Sequence, residues 1–179
     1  MKIINSPLQD CYLIEENVIE DKRGHFSKIY DYDFLKEKIE LNHFIQENES
    51  FSCKKVIRGM HYQKEPYSQI KIIRVLIGKI WDIVIDLRPD SPSYLNSYGV
   101  ELSHENRKQL FVPSGFAHGF AVTSDFARVI YKVNKAYMPN LEKGFSPFDP
   151  QFNLKWPFSM QESILSDKDL NWPLFKKDV

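Results

Sequence analysis

Short runs of β-branched and aromatic residues recur along the chain at intervals of roughly ten residues, with turn-forming residues between them. The clearest runs are 70–77 and 80–87, and the Gly78 and Lys79 between them predict a two-residue hairpin. Further short strands are predicted at 98–102, 109–112, 119–123 and 129–133. This spacing favours an all-β sandwich or barrel over any helical architecture.

Helix signals are few. The segment 33–41 is amphipathic and rich in Glu and Lys, so it is the clearest predicted helix. A helical turn is predicted at 166–170, with Ser166 as its cap and acidic residues in its first turn. Frequent prolines after residue 138 predict an irregular C-terminal segment that packs over the barrel.

Composition narrows the class of protein. A chain of 179 residues is expected to form a single domain over 1–179 with a sizeable core. The 24 basic and 24 acidic residues balance, so no overall charge favours a nucleic-acid or membrane partner. Cys11 and Cys53 are too few for a disulfide framework, and no leader or membrane span is evident. A soluble cytoplasmic protein is therefore expected.

Three motifs carry the chemistry. They read Arg-Gly-Met-His-Tyr-Gln at 58–63, Gln-Ile-Lys at 69–71 and Pro-Ser-Gly-Phe-Ala-His at 113–118. Together they place arginine, histidine and lysine on strand-like segments of the predicted barrel wall. A basic pocket that contains one well-placed base indicates proton transfer on an anionic substrate.

The motif Pro-x-Gly-x-x-His on a late strand resembles the pattern of the cupin fold, a jelly-roll β-barrel, and raises the question of a metal. Cupin metal centres use His-x-His and a Glu in the first motif, whereas this chain has His61, Tyr62 and Gln63 there. Two histidines do not form a usual zinc or iron centre, which needs three or four protein ligands. We therefore predict no metal and no cofactor.

Several polar residues lie within or beside apolar strand runs, where an unpaired charge is costly. They are Arg58, His61, Lys71, Asp82 and Tyr131. Each alone has an ordinary structural interpretation, such as a solvated lysine or a hydrogen-bonded core group. In combination they favour a concave, partly dry pocket that gives these groups a function and shifts their pKa values.

With these motifs the chain resembles the dTDP-4-dehydrorhamnose 3,5-epimerase family, whose members are metal-free cupin-fold enzymes of deoxysugar-nucleotide biosynthesis. The resemblance runs nearly end to end, and the barrel motifs are its most specific part. The matching positions are 21–26, 46–48, 58–63, 69–71, 82–88, 90–92, 102–103, Asn106, Pro113, 115–120, 131–132, Tyr137, Glu142, Gly144 and 165–169.

The resemblance implies an epimerisation at C3 and C5 of a 4-keto-6-deoxy sugar carried on a nucleoside diphosphate. The C4 carbonyl acidifies both positions, so a base removes a proton, an enolate forms, and a proton returns to the opposite face. His61 matches the base, Asp169 the carboxylate that orients it, and Tyr131 the proton donor. Lys71 would stabilise the C4 oxyanion, and Asp82 is expected nearby as support.

Binding residues carry over in the same way. Positions that contact the nucleotide or its pyrophosphate are matched by Arg23, Gln46, Asn48, Arg58 and Lys168. A sugar-pocket position is matched by His118, which otherwise would be a hydrogen bond donor that orders the strands.

On the nucleotide side, Tyr137 matches a ring that stacks on the base and Glu142 a polar contact beside it, with Phe26 as possible support. In the family Arg23 reaches the neighbouring subunit, which implies a homodimer.

Two positions depart from the family pattern. Lys28 stands where the family has Glu, and Phe148 falls within a segment where the family has Trp-Asn-Asp. These changes leave open which nucleotide base and which 4-keto sugar are used. A 3-only or 5-only epimerase, a ketoisomerase and a non-catalytic nucleotide-sugar-binding barrel therefore stay as alternatives.

Overall fold

Short antiparallel strands form almost all of the regular structure. A computed structural model describes residues 1–39, 41 and 43–177 of the chain. The strands are β1 (Lys2–Asn5), β2 (Tyr12–Glu15), β3 (Val18–Asp21), β4 (Gly24–Ser27), β5 (Gln46–Cys53), β6 (Ile57–Gln63), β7 (Lys71–Ile77), β8 (Lys79–Asp86), β9 (Ser97–Ser103), β10 (Lys108–Val112), β11 (Phe116–Val122), β12 (Phe126–Val133) and β13 (Glu142–Gly144). The helices are α1 (Tyr32–Lys36) and α2 (Asp167–Leu170), with a 3-10 turn at Met160–Glu162.

Two sheets face each other as a jelly-roll barrel, which confirms the all-β prediction. One sheet has six strands in the order β1-β2-β10-β7-β12-β5, and the other has five in the order β13-β6-β11-β8-β9. Strands β3 and β4 form a separate two-stranded hairpin. No helix in the described part of the chain is long and apolar enough to cross a membrane.

The core lies between the two sheets and follows from the alternation of side chains along each strand. Ile73 and Leu110 of the six-stranded sheet pack there with Ile80, Val84 and Phe120 of the five-stranded sheet. Side chains of β8 alternate between two faces, because Ile83 and Ile85 belong to a different cluster on the outer face.

The outer faces are covered by irregular chain. Leu35 of α1 and the nearby Ile39 pack over Ile72 and Phe111 of the six-stranded sheet. On the five-stranded sheet, the C-terminal segment contributes an aromatic cluster whose ring centroids lie 5.1 to 5.3 Å apart. The prediction that the segment after residue 138 packs over the barrel is confirmed.

The hairpin predicted at Gly78 and Lys79 is wrong. Strand β7 belongs to the six-stranded sheet, whereas β8 pairs with β9 and β11 in the other sheet. Gly78 has φ +81°, and a Cβ there would lie 2.1 Å from the carbonyl oxygen of Phe126. The glycine is required because the chain turns sharply here to cross from one sheet to the other.

The helix predicted at 33–41 is wrong in length, because α1 covers only Tyr32–Lys36. The side chain of Asp31 caps it by accepting a hydrogen bond from the backbone N–H of Phe34. Beyond it the chain turns so that Ile39 reaches the sheet, and this contact outweighs helix propensity. Glu40 lies outside the described residues.

The turn predicted at 166–170 is confirmed by α2. Its cap Ser166 accepts a hydrogen bond from the backbone N–H of Asp169.

Candidate active site

A cavity of about 500 Å³ opens between the inner faces of the two sheets. Most of the residues singled out from the sequence line it, although they come from seven different strands and helices. The predicted residues in its wall are Gln46, Asn48, Arg58, His61, Lys71, His118, Tyr131, Tyr137, Glu142, Lys168 and Asp169. Arg23, Phe26 and Asp82 are the predicted residues that do not line it.

His61 on β6 and Asp169 on α2 form a close pair, although 108 residues separate them. The Nε2 atom of His61 lies 2.5 Å from a carboxylate oxygen of Asp169. The Asp169 side chain is 4% exposed, whereas that of His61 is 28% exposed. A carboxylate that holds one ring nitrogen fixes the orientation of the imidazole and leaves Nδ1 for another partner.

The short helix α2 is held in place by its flanking residues. Trp172, which follows the helix, packs so closely on Gly144 that a Cβ there would lie 2.5 Å from the indole ring. Gly144 is in turn paired with His61 in the β13–β6 ladder. On the other side, Ile164 bridges to Val56 at the start of β6. Both ends of the segment that carries Asp169 are therefore tied to the strand that carries His61.

Tyr131 extends into the cavity from the opposite wall. It lies on β12 of the six-stranded sheet, between Asn48 on β5 and Ile73 on β7. Burial raises the pKa of its hydroxyl, and the positive charge of Arg58 opposes this rise. The Tyr131 hydroxyl therefore keeps its proton at neutral pH and faces the His61 wall from the other sheet.

Lys71, Asp82 and His118 form a group of charged and polar side chains in which Asp82 is buried and the other two are partly buried. Burial lowers the pKa of Lys71 to about 8, although the charge of Asp82 opposes this shift. Asp82 has a side chain that is 0% exposed, and both its oxygens lie 3.0 Å from Nε2 of His118. Burial raises the pKa of Asp82, while His118 and Lys71 act against the rise. The support that Asp82 provides is therefore directed at His118, not at His61.

The rim of the cavity carries a second hydrogen-bonded group. Tyr137 donates its hydroxyl hydrogen to Glu142, and Nζ of Lys168 lies 2.5 Å from the same carboxylate. Burial alone would raise the pKa of Glu142, but these two hydrogen bonds bring it below its ordinary value. Lys168 also lies 5.7 Å above the ring of Trp172. The rim thus offers one anionic and one cationic group beside an exposed aromatic ring.

Strand β5 forms the free edge of the six-stranded sheet and directs polar side chains into the cavity. Gln46 donates to Asn48 at 2.6 Å, and the guanidinium Nε of Arg58 donates to Ser52 at 3.1 Å. Further residues in the cavity wall were not predicted from the sequence, although the alternation of side chains along β5 places Ser50 on the same face as Asn48. The missed residues are Ser50, Tyr62, Gln63, Gln69, Ile73, Phe120, Val129 and Ser166.

The structure places Arg23 and Phe26 away from this cavity. Both lie on the β3–β4 hairpin, where the Arg23 side chain is 84% exposed and Phe26 is 69% exposed. Arg23 forms an ion pair with Asp21 at 2.5 Å.

Neither departure from the family pattern changes the cavity wall. Lys28 forms an exposed ion pair with Asp31 at 2.6 Å, and Phe148 is half-buried outside the lining.

In the part of the chain that the structure describes, no three His, Cys, Asp or Glu side chains are grouped as metal ligands. Fold and site are those of a jelly-roll isomerase, with a histidine–carboxylate pair inside the barrel. The family model for dTDP-4-dehydrorhamnose 3,5-epimerase matches residues 5–177. The chain therefore belongs to the dTDP-4-dehydrorhamnose 3,5-epimerase family.

Individual relatives agree with this assignment. The chain is 40% identical to the dTDP-4-dehydrorhamnose 3,5-epimerase of Shigella flexneri, over 98% of this chain and 96% of the relative. The crystal structure of the enzyme of that name from Elizabethkingia anophelis superposes with a TM-score of 0.96 at 42% identity, covering 99% and 98% of the two chains. An epimerase from Legionella pneumophila, solved in complex with dTDP-4-keto-L-rhamnose, has a TM-score of 0.91 at 37% identity and coverage of 97% and 92%.

Proposed function

We propose that the chain epimerises dTDP-4-dehydro-6-deoxyglucose, or a close variant, at C3 and C5. The observation that carries this proposal is the His61–Asp169 pair at 2.5 Å on one wall, with Tyr131 on the opposite wall. Inversion at carbon needs a base on one face and a proton donor on the other. The cavity supplies both, and the relative from Legionella pneumophila binds a sugar nucleotide of this class.

The chemical steps follow from the geometry. His61 takes the proton from the carbon next to the C4 ketone, and the C–H electron pair becomes an enolate with its charge on O4. The ammonium of Lys71 stabilises this oxyanion, since a fixed charge in a dry site acts most strongly on the charge that develops in the transition state. Tyr131 then returns a proton to the opposite face. Asp82, which is held by His118, places a negative charge near Lys71 and favours its protonated form.

Substrate binding is assigned to the remaining wall. Arg58, Gln46 and Asn48 lie along the opening and suit the pyrophosphate, for which guanidinium and amide donors are appropriate. Lys168, Glu142 and Tyr137 at the rim suit the nucleoside. The apolar residues Ile73, Phe120 and Val129 in the wall favour a sugar that carries a methyl group at C6.

We further propose a homodimer in which the β3–β4 hairpin of one subunit reaches the cavity of its partner. Arg23 and Phe26 do not line the cavity of their own chain, and Ile19 and Phe26 form an exposed cross-strand pair. Within the described ranges the outer edge of β5, beside the cavity, has no strand partner, and the strand carries the exposed Phe51. Open strand edges and exposed apolar pairs favour association.

We also propose a cytoplasmic location, which suits the two free cysteines.

The test is incubation with dTDP-4-dehydro-6-deoxyglucose in deuterated water, followed by NMR. We expect deuterium at both C3 and C5, together with the doubly inverted product. Deuterium at one carbon only would replace this proposal with a single-site epimerase. In His61→Asn we expect no exchange at either carbon while dTDP still binds, and exchange at the normal rate in that variant would refute the role of His61.

A further inference from the structure

The β3–β4 hairpin projects from the barrel with little support of its own. Among the residues that the structure describes, its two strands pair only with each other. The cross-strand residues Ile19 and Phe26 are 61% and 69% exposed, and every residue of β3 and β4 is at least partly exposed. An isolated two-stranded hairpin is marginally stable in water. Glu20 of the hairpin forms an exposed ion pair with Arg107 at 3.7 Å, and the buried contact that can set the direction of the hairpin lies where it joins the barrel.

At that junction lies a buried carboxylate, Glu16, which the proposed chemistry does not use. Its side chain is 0% exposed. One oxygen accepts hydrogen bonds from Nε of Arg74 at 2.7 Å and from Nε2 of Gln109 at 3.3 Å. The other oxygen accepts a hydrogen bond from the hydroxyl of Ser27 at 2.7 Å. A buried charge requires such partners, so these four side chains form one unit.

This unit holds both ends of the hairpin. Glu16 lies just before β3, and Ser27 is the last residue of β4. Gln109 also donates to the carbonyl oxygen of Ile29, two residues beyond the hairpin, at 2.8 Å. Arg74 and Gln109 are paired neighbours on β7 and β10. The chain that enters the hairpin and the chain that leaves it are thus fastened to the same point of the six-stranded sheet.

The point of attachment is coupled to the cavity through one strand. Along β7, Lys71 and Ile73 line the cavity, whereas Arg74 faces the outer side of the sheet and binds Glu16. A rigid strand therefore separates the cavity wall from the base of the hairpin by the thickness of one sheet.

We propose that Glu16 is a positioning residue for nucleotide binding, because it sets the direction of the hairpin that carries Arg23 and Phe26. The inference rests on the proposed function, in which this hairpin completes the partner's cavity. Glu16 touches no substrate. It acts by fastening Ser27 to the barrel at a fixed distance from Arg74, so that Arg23 reaches the neighbouring site in one orientation.

The experiment measures the dissociation constant of dTDP by calorimetry, with kcat and KM determined on the same samples. In Glu16→Gln, a neutral amide replaces the carboxylate that accepts three hydrogen bonds. We expect the dissociation constant of dTDP and the KM to rise about tenfold, because the variant loses roughly the contribution of one charge-assisted hydrogen bond. The kcat should stay within twofold of the parent. Ser27→Ala removes only the hairpin's side of the contact and should weaken dTDP binding in the same direction.

Glu20→Gln is the matched control. It makes the same chemical change on the same hairpin, at a side chain that is 72% exposed and lies 3.7 Å from Arg107. We expect dTDP binding to be unchanged there. In the Arg23→Ala background, Glu16→Gln should weaken dTDP binding by a smaller factor than in the parent, because part of its effect is exerted through Arg23.

Two results overturn the inference and are distinguishable. If Arg23→Ala weakens dTDP binding but both Glu16→Gln and Ser27→Ala leave it unchanged, or if the effects add, Glu16 does not position the hairpin. If Arg23→Ala itself leaves dTDP binding unchanged, the proposed partner site for the hairpin is wrong. Should Glu16→Gln fail to fold, Ser27→Ala decides the question, since it leaves the Glu16–Arg74 pair intact.

Discussion

Replacement of Lys71 is expected to lower activity and to raise stability at the same time. Removal of a preorganised charge beside a developing oxyanion costs about 100- to 1,000-fold in kcat, or roughly 2.7 to 4 kcal/mol. We therefore expect Lys71→Met to lose activity by that factor while it still binds dTDP. The measurement is steady-state turnover of the 4-keto sugar nucleotide, with dTDP affinity as the control for an intact cavity.

The pH dependence follows from the lowered pKa of about 8 for Lys71. The ammonium is protonated below that pH and is lost above it, so at pH 9 about one tenth of the enzyme keeps the charge. We expect kcat/KM to fall about tenfold between pH 7 and pH 9. In Lys71→Arg the guanidinium stays charged, so this alkaline decline should be absent.

The stability effect has the opposite sign to the activity effect. The folded-state pKa of Lys71 is lowered from 10.5 to about 8, so the folded state binds this proton less well than the unfolded chain. The cost of burying the ammonium is present below pH 8 and disappears as the pH rises toward 10.5. Lys71→Met should therefore raise the free energy of unfolding at pH 7, by up to about 3 kcal/mol.

Two results would refute the reasoning about Lys71. One is a kcat/KM that stays level from pH 7 to pH 9.5, or that declines equally in Lys71→Arg. The other is a lower free energy of unfolding for Lys71→Met at pH 7, measured by urea denaturation.

Three further changes test other parts of the site. Tyr131→Phe should still exchange substrate hydrogen with deuterated water, because His61 is intact, but should form the inverted product about 100-fold more slowly; unchanged product formation excludes Tyr131 as the donor. Gly144→Ala should lower kcat at least about tenfold, since the added methyl displaces Trp172 and with it Asp169, and a normal kcat contradicts this support. Exhaustive dialysis against EDTA should leave activity unchanged, and recovery that requires added zinc or iron would overturn the metal-free mechanism.

Most strands of the barrel wall were predictable because buried strand positions are enriched in β-branched apolar residues. Strands β7, β8 and β12 are rich in Ile and Val, and burial makes this composition visible in the sequence. Strand β5 reads Gln-Glu-Asn-Glu-Ser-Phe-Ser-Cys and has no apolar alternation, because one of its faces lines a polar cavity. Patterning therefore overlooked β5, whereas β7 and β12, which also line the cavity, kept enough buried Ile and Val to be recognised.

The sheet crossing at Gly78 shows a second limit. The sequence contains the right local signal for a sharp turn, but a turn between two strands does not reveal whether those strands pair. Here β8 pairs instead with β9, the strand that follows it, and with β11 further along the chain.

In the site, the resemblance pointed to the correct neighbourhood for most residues, but not to their partners. Asp82 contacts His118, and Glu16 accepts hydrogen bonds from several side chains, because of the register between neighbouring strands. Residue spacing along one strand does not reveal such contacts.

The separation of His61 from Asp169 has a consequence for how the enzyme arises on the ribosome. The histidine is synthesised early, with β6, whereas its carboxylate partner is translated only after β13. A transcript truncated after β13 and before α2 would encode the barrel strands and His61 but not Asp169. The His61–Asp169 contact can consequently form only after the ribosome has translated α2, later than all of the strands that make up the two sheets.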